Sequence, residues 1–360
     1  MPGFYFAYSY QLKSNLFYFA PMVVKENQSL AKLNTFGMEA RARHYIECSS
    51  IEDVQAAVND KQVTDEELFI LGGGSNVLLT RDVDGFVLRM NIRGKEIISE
   101  NNQHVLVRVG AGENWHEFVM HALDQGWGGI ENLSLIPGTV GAAPMQNIGA
   151  YGIEVESVFD HLRAVNRNDG SVRTFNKEEC AFGYRESVFK TTLKNQYIIC
   201  DVTLRLNKPP HALNTSYGAI QQVLSERNID NPTIRDVSEA VISIRRSKLP
   251  DPAEIGNSGS FFKNPVIPLA RYRDLQTEYP EIPGYKVSDN SVKVPAGWLI
   301  EQCGWKGHVR DNIGVHKNQA LVLVNYGGGK GEDIKKLAQD IQKSVTDRFG
   351  IGLKPEVNII

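Results

Sequence analysis

The alternation of apolar and polar positions marks out the regular elements. Ile51, Val54 and Val58 make one helical face behind Ser49-Ser50-Ile51-Glu52, a capping box. Trp115, Phe118, Val119 and Ala122 recur at i, i+3, i+4 and i+7, the spacing of an amphipathic helix. Ile334, Leu337, Ala338, Ile341, Val345 and Phe349 carry that spacing through a longer helix, with Gly350 placed to cap it. Shorter amphipathic segments cover 220–224 and 237–244, and Ala296-Gly297-Trp298-Leu299-Ile300 begins another helix. Apolar runs at 68–71, 86–90, 105–109 and 320–324 predict strands, and 162–165 with 172–175 predicts a hairpin. Over 197–206, Cys200, Val202, Leu204 and Leu206 alternate with Asp201, Thr203 and Arg205, as in a strand.

Periodicity fails over 131–152, which holds four glycines and two prolines in 22 residues. Glycine lets a backbone touch a ligand, and proline fixes φ and removes a donor. The stretch is too apolar for a linker. It reads as an ordered coil whose N–H groups wrap something flat or anionic, with a corner between two sheets as the alternative. Two more glycine loops precede it. Gly72-Gly73-Gly74-Ser75-Asn76 follows the run at 68–71, and Gly110-Ala111-Gly112 follows the run at 105–109. The first suits a phosphate grip or, equally, a glycine-rich hairpin. It is not a dinucleotide fingerprint, which would need glycine at Val77 and a following helix. Gly327-Gly328-Gly329-Lys330-Gly331 lacks the Ser or Thr that a Walker loop places after its lysine. His116 and His121 stand five apart, roughly 140° around a helix. They read as solvated histidines rather than a zinc pair.

Composition narrows the classes. The 360 residues are 42% hydrophobic and 22% charged, ordinary for a globular chain of two or three domains. A net charge of −3 makes no case for nucleic acid, and no apolar run of about 18 residues predicts a membrane span. Cys48, Cys180, Cys200 and Cys303 show no metal-ligand spacing, so no metal site is expected and reduced cytosolic thiols are the simplest account. Residues 1–24 crowd aromatics around a polar break and read as an extension outside the main fold. An edge strand or a translated upstream segment are the alternatives. Leu249-Pro250-Asp251-Pro252 stops a helix and suggests a domain boundary near 250.

Three glycine-rich elements in or near the first 150 residues suit a large cofactor with a pyrophosphate and an extended ring better than a small anion. The second half offers Tyr184, Arg185, Tyr217, Lys248, Ser260, Lys263 and Glu356 as polar candidates. Each has a plain alternative: solvated Arg and Lys, a turn-capping Ser260, a surface Glu356. Gly256-Asn257-Ser258-Gly259-Ser260-Phe261-Phe262-Lys263-Asn264-Pro265 is the denser motif, with a serine after glycine, beside two aromatics and close to a lysine.

Together these motifs resemble the UDP-N-acetylenolpyruvoylglucosamine reductase family, flavoenzymes of peptidoglycan precursor synthesis. The match is carried by Asn34-Thr35-Phe36-Gly37, Gly72 to Asn76, Gly110 to Trp115, Ile136-Pro137-Gly138 through Gly152, and Phe182-Gly183-Tyr184-Arg185. It continues in Lys248-Leu249-Pro250-Asp251-Pro252, Gly259 to Pro265, Ala296 to Ile300 and Pro355-Glu356-Val357, so it runs from about residue 31 onward.

The resemblance implies an α+β protein. Two FAD-binding subdomains of the vanillyl-alcohol-oxidase/PCMH type, 25–92 and 93–249 joined by 351–360, precede a smaller substrate-binding domain, 250–350. FAD would lie against Leu71, Gly72, Gly73, Gly74, Ser75, Asn76, Gly110, Gly112, Pro137, Gly138, Thr139, Gly141, Ala142, Asn147, Gly149, Ala150 and Tyr151. In the family, NADPH reduces FAD and leaves. The enolpyruvyl ether of UDP-N-acetylglucosamine then takes its place and is reduced to a lactyl ether. Arg185 and Glu356 match the residues that meet the enolate charge, and Ser260 matches the proton donor. Tyr184, Tyr217, Lys248, Lys263, Asn264, Lys293 and Gln319 are the expected contacts of the nucleotide-sugar. Ser216-Tyr217-Gly218 together with Ser260 marks the longer form of the family. Residues 1–24 have no family counterpart, and Ala142-Ala143 stand where serine is common. A cytoplasmic monomer acting on a small molecule is expected, with no nucleic-acid or membrane partner. A flavin-dependent alcohol oxidase or dehydrogenase would instead be reoxidised rapidly by oxygen. A nucleotide-sugar-binding protein without catalysis would be colourless, and would not require an acid and an enolate clamp together.

Overall fold

The computed structural model describes residues 22–360, so the reading of 1–24 falls, but for Met22, Val23 and Val24, outside the described residues. The chain forms two units. One comprises the described residues up to Gln28, Ala42–Gly73 and Val83–Ser247; the other comprises Ser29–Arg41, Gly74–Asp82 and Lys248–Ile360.

In the first unit, a four-stranded sheet runs in the order Val24–Ser29, Arg41–Cys48, Val83–Met90, Glu67–Leu71, and the last three strands are parallel. The Ile51–Asn59 helix lies between the first two parallel strands in sequence and buries Val54, Ala57 and Val58. Its box sits one residue later than expected. Ser50 Oγ accepts from the Asp53 amide at 3.0 Å and Asp53 accepts from the Ser50 amide at 3.0 Å, because Asp53 rather than Glu52 occupies the third helical position. A five-stranded sheet follows, Val172–Asn176, Phe159–Asn166, Tyr197–Asn207, His104–Gly110, Lys95–Glu100. The expected hairpin pairs Val165 with Val172.

The Trp115–Asp124 helix buries Trp115, Phe118, Val119 and Ala122 in one core with Val107, Val109, Val202 and Leu204. Each large side chain there contributes about 1.5–3 kcal/mol. A smaller core joins the helices Gly218–Glu226 and Ile234–Lys248 through Ile220, Leu224, Val237, Val241 and Ile244, with Tyr151 packed against it.

The second unit carries a sheet in the order Gly256–Ser260, Val322–Asn325, Ile313–Val315, Val309–Arg310. The Gly331–Phe349 helix buries the stripe read from the sequence, and Gly350 ends it at φ +64°, the left-handed conformation glycine adopts without cost. After it, Asn358–Ile359 pairs in parallel with Val77–Leu78, and both strands belong to this unit. The same pairing removes the hairpin reading of 72–76, since Glu67–Leu71 and Val77–Leu78 enter different sheets.

Candidate functional site

The coil at 131–152 is ordered by short 3₁₀ turns at Glu131–Leu133, Val140–Ala142 and Pro144–Gln146, and ends in a hairpin of Gly149–Ala150 with Ile153–Glu154. No helix N-terminus follows it. Its backbone is tied to the loop at 110–113 and to the start of the Trp115–Asp124 helix. The Gly141 amide donates to Ala111 O at 3.0 Å, Val140 to Glu113 O at 2.9 Å and Trp115 to Gly138 O at 3.0 Å. The Trp115 indole donates to Leu133 O at 2.9 Å.

Close approach of three main chains explains the glycines. A Cβ on Gly73 would stand 2.7 Å from Gly138 Cα, one on Gly141 2.5 Å from Ala111 Cβ, and one on Gly112 2.6 Å from Asn91 Cα. The amides divide into two sets. Those of Gly110, Gly112, Gly141 and Ala142 donate to backbone carbonyls within the fold. Those of Gly73, Gly138 and Thr139 donate to no acceptor among the described residues. Small-sided, closely packed backbone with unused donors fits an anionic or carbonyl-bearing planar ligand such as FAD. Asn147 has another task. Buried at φ +44°, it donates to Glu154 at 2.9 Å and to Gly183 O at 3.3 Å, and accepts from the Glu156 amide.

Gly183 and Glu186 exchange backbone bonds of 3.0 and 3.1 Å, closing a two-residue turn on Tyr184 and Arg185. Arg185 holds φ +55°, a strained value for a residue with a Cβ and a mark of functional turns. Its Nη2 donates to Gly149 O at 2.6 Å and its guanidinium lies over the Tyr184 ring. Ser187 Oγ pins the same segment to Met145 O at 2.7 Å. Tyr217, exposed before the Gly218–Glu226 helix, meets the Tyr151 ring edge-on at 5.2 Å. Asn132, buried, joins the coil to the Tyr217 loop by donating to both Tyr151 O and Asn214 O.

The second unit gathers its own candidates. Ser260 closes a strand bulged at Gly259, whose φ is +71°. Beyond it, residues 261–263 run antiparallel to 354–356. The Glu356 amide donates to Phe261 O at 2.8 Å and Lys263 to Lys354 O at 2.9 Å, so the segments that carry Ser260 and Glu356 lie side by side. Asn76 donates to Glu356 O at 3.2 Å. Asn264 Oδ1 accepts from the Ala296 amide and Gln319 Oε1 from the Leu321 amide, so both oxygens serve the fold. Lys293 pairs with Val266 at a sheet position, and Lys248 is exposed.

Two residues escape the sequence reading. His116 is half-buried rather than freely solvated, and its Nδ1 accepts from the Leu135 amide at 3.0 Å. Arg245 donates from Nε to Leu135 O at 3.2 Å. It stands four residues after Val241, on the buried stripe of its helix, and that spacing is the signal that could have found it. Burial, then Arg245's like-charged neighbour Arg185, holds its pKa below the ordinary value. Among the described residues no group of three His, Cys, Asp or Glu side chains is placed to hold a metal, and no helix is long and apolar enough to cross a membrane. The four cysteines are free, and burial pushes the thiols of Cys48, Cys180 and Cys200 up to about 12.

Two family models match the chain. Residues 42–176 match a family model described as an FAD binding domain, and residues 251–360 match the UDP-N-acetylenolpyruvoylglucosamine reductase C-terminal domain. A curated UDP-N-acetylenolpyruvoylglucosamine reductase of Flavobacterium johnsoniae is 50% identical, over 94% of this chain and 100% of its own length. The protein of that name from Pseudomonas aeruginosa is 48% identical over 93% and 98%. The crystal structure of UDP-N-acetylenolpyruvylglucosamine reductase from Thermus caldophilus has the same fold, with a TM-score of 0.66 at 22% identity over 94% of this chain and 99% of that one.

Proposed function

Because this chain belongs to the UDP-N-acetylenolpyruvoylglucosamine reductase family, we propose that it reduces the enolpyruvyl ether of UDP-N-acetylglucosamine to UDP-N-acetylmuramate at the expense of NADPH. Its class is plain: an FAD-dependent oxidoreductase of peptidoglycan precursor synthesis. Bound FAD would supply the chemistry of hydride transfer between NADPH and the β-carbon of the enolpyruvyl group. The residues of the chain handle the charge and the proton. As the β-carbon gains hydride, negative charge builds on the α-carbon and its carboxylate. The Arg185 guanidinium, held by Gly149 O and a closed turn, offers a fixed cation to that charge, and Glu356 works with it on the carboxylate side. The Ser260 hydroxyl gives its proton to the basic α-carbon. Tyr217, Tyr184, Lys248, Lys263 and Lys293 are assigned to the nucleotide-sugar, with Tyr217 on a loop able to close. A UDP-linked substrate and four free cysteines favour a cytoplasmic location.

The observation that carries the reading is the Glu356–Phe261 backbone bond, which joins the segments of the proposed donor and clamp within the matched reductase domain. The purified chain should be yellow, bleached by NADPH and recoloured by the enolpyruvyl sugar. Bleaching without recolouring would sink the substrate assignment. Ser260→Ala should keep flavin reduction and slow the second half-reaction by roughly 10²–10⁴-fold. Normal turnover by this variant would remove Ser260 from the role.

A further inference from the structure

Leu135 sits at the entrance to the glycine coil with φ +57°, the left-handed region that a γ-branched side chain pays to enter. Both of its backbone polar groups are held from outside the coil. His116 Nδ1 accepts its N–H at 3.0 Å, from the Trp115–Asp124 helix. Arg245 Nε donates to its carbonyl at 3.2 Å, from the Ile234–Lys248 helix. Two helices thus grip one peptide from opposite chemical ends, three residues before Gly138, whose amide is one of the unused donors.

We propose that His116 and Arg245 are positioning residues that clamp Leu135 and thereby set the coil to receive the flavin, and that His116 does so only as the neutral imidazole. The inference rests on the reading of this coil as a flavin-holding strip. Its chemistry follows from the ring. To accept the Leu135 N–H, Nδ1 must carry a lone pair, so the ring proton is on Nε2. A second proton would face the amide with another donor and release it. The surroundings favour the neutral form. Burial first, then Arg246 and Arg245, lowers the His116 pKa, and Glu117 on its own helix opposes them. Arg227 and Glu239 complete the charged groups lining the adjoining cavity of about 540 Å³. With a folded pKa below the unfolded value of about 6.5, the clamp is intact above pH 6.5. It is lost as pH falls from there through the lowered pKa.

Flavin affinity of the full-length chain, measured by fluorescence titration from pH 5 to 8, tests this. The wild type should weaken by roughly tenfold towards pH 5, the loss expected when a buried donor loses its acceptor. His116→Asn, whose Oδ1 stands where Nδ1 stood, should bind as the wild type does at pH 8 and lose most of that pH dependence. His116→Leu should bind weakly at every pH. Adding Leu135→Gly to it should restore affinity, because glycine reaches φ +57° unaided. His116→Asn titrating like the wild type, or His116→Leu binding normally at pH 8, would overturn the inference while leaving the flavin site standing. A wild type that takes up no FAD would overturn the flavin reading and the clamp with it.

Discussion

Two glycine triplets in this chain look alike in sequence and behave differently in structure. At Gly327-Gly328-Gly329 the amides of the first and third both donate to Asn325 Oδ1 at 3.0 Å, and the Asn325 amide group reaches Phe36 O at 2.9 Å. Two of the loop's three amides go to its own side chain, and no other main chain presses on its central glycine. At Gly72-Gly73-Gly74 the amide of the central glycine has no acceptor among the described residues, and its Cα faces Gly138 across main-chain contact distance. A count of glycines therefore says little. The destination of the flanking N–H groups and the close approach of a second main chain separate a structural turn from a cradle.

Three substitutions sharpen that contrast. Gly73→Ala drives a Cβ to 2.7 Å from Gly138 Cα, where neither main chain can yield cheaply. It should cost about 3 kcal/mol of flavin binding, on the order of a hundredfold in the dissociation constant read by fluorescence. Retained affinity would show that the two loops are not held together by necessity. Asn325→Ala leaves two amides and a buried carbonyl without partners and should cost about 2–4 kcal/mol of unfolding free energy in a denaturant titration. Flavin affinity should stay within about twofold, since the loop is not a cradle. Gly328→Ala asks a side chain to hold φ +72° with Asn312 Nδ2 3.4 Å away. A loss of about 1 kcal/mol in the same titration, with flavin binding unchanged, is expected. A larger effect on flavin than on stability in either of these two variants would erase the distinction.

The same contrast shows what was legible in the sequence. Local rules were: the Trp115–Ala122 and Ile334–Phe349 stripes bury as spaced, and Gly350 caps where it should. The motifs at 131–152 and 259–265 were also legible, because such runs of small and turn-forming residues satisfy few other constraints. Long-range backbone destinations were not. Nothing local tells that His116 will accept from Leu135, that Arg245 will reach the same residue from 110 positions away, or that 358–359 will pair with 77–78. The capping box slipped by one residue because Ser49 and Ser50, Glu52 and Asp53 present two equivalent patterns, which only the backbone geometry separates.

The pairing of 358–359 with 77–78 also sets a timetable for synthesis. Ile360 O accepts from both the amide and the hydroxyl of Thr80, 280 positions earlier. The strand at 77–78 therefore leaves the ribosome without its partner and waits for the segment that will cover it. At typical elongation rates that wait is roughly 14–56 s. The first unit includes no residue beyond Ser247, so all of it has been made by then. The second has pieces from 29–41, 74–82 and 248–360, and it finishes only when residues 358–360 have emerged. For this chain, the half that carries Ser260 and Glu356 is completed after the half that carries the glycine coil.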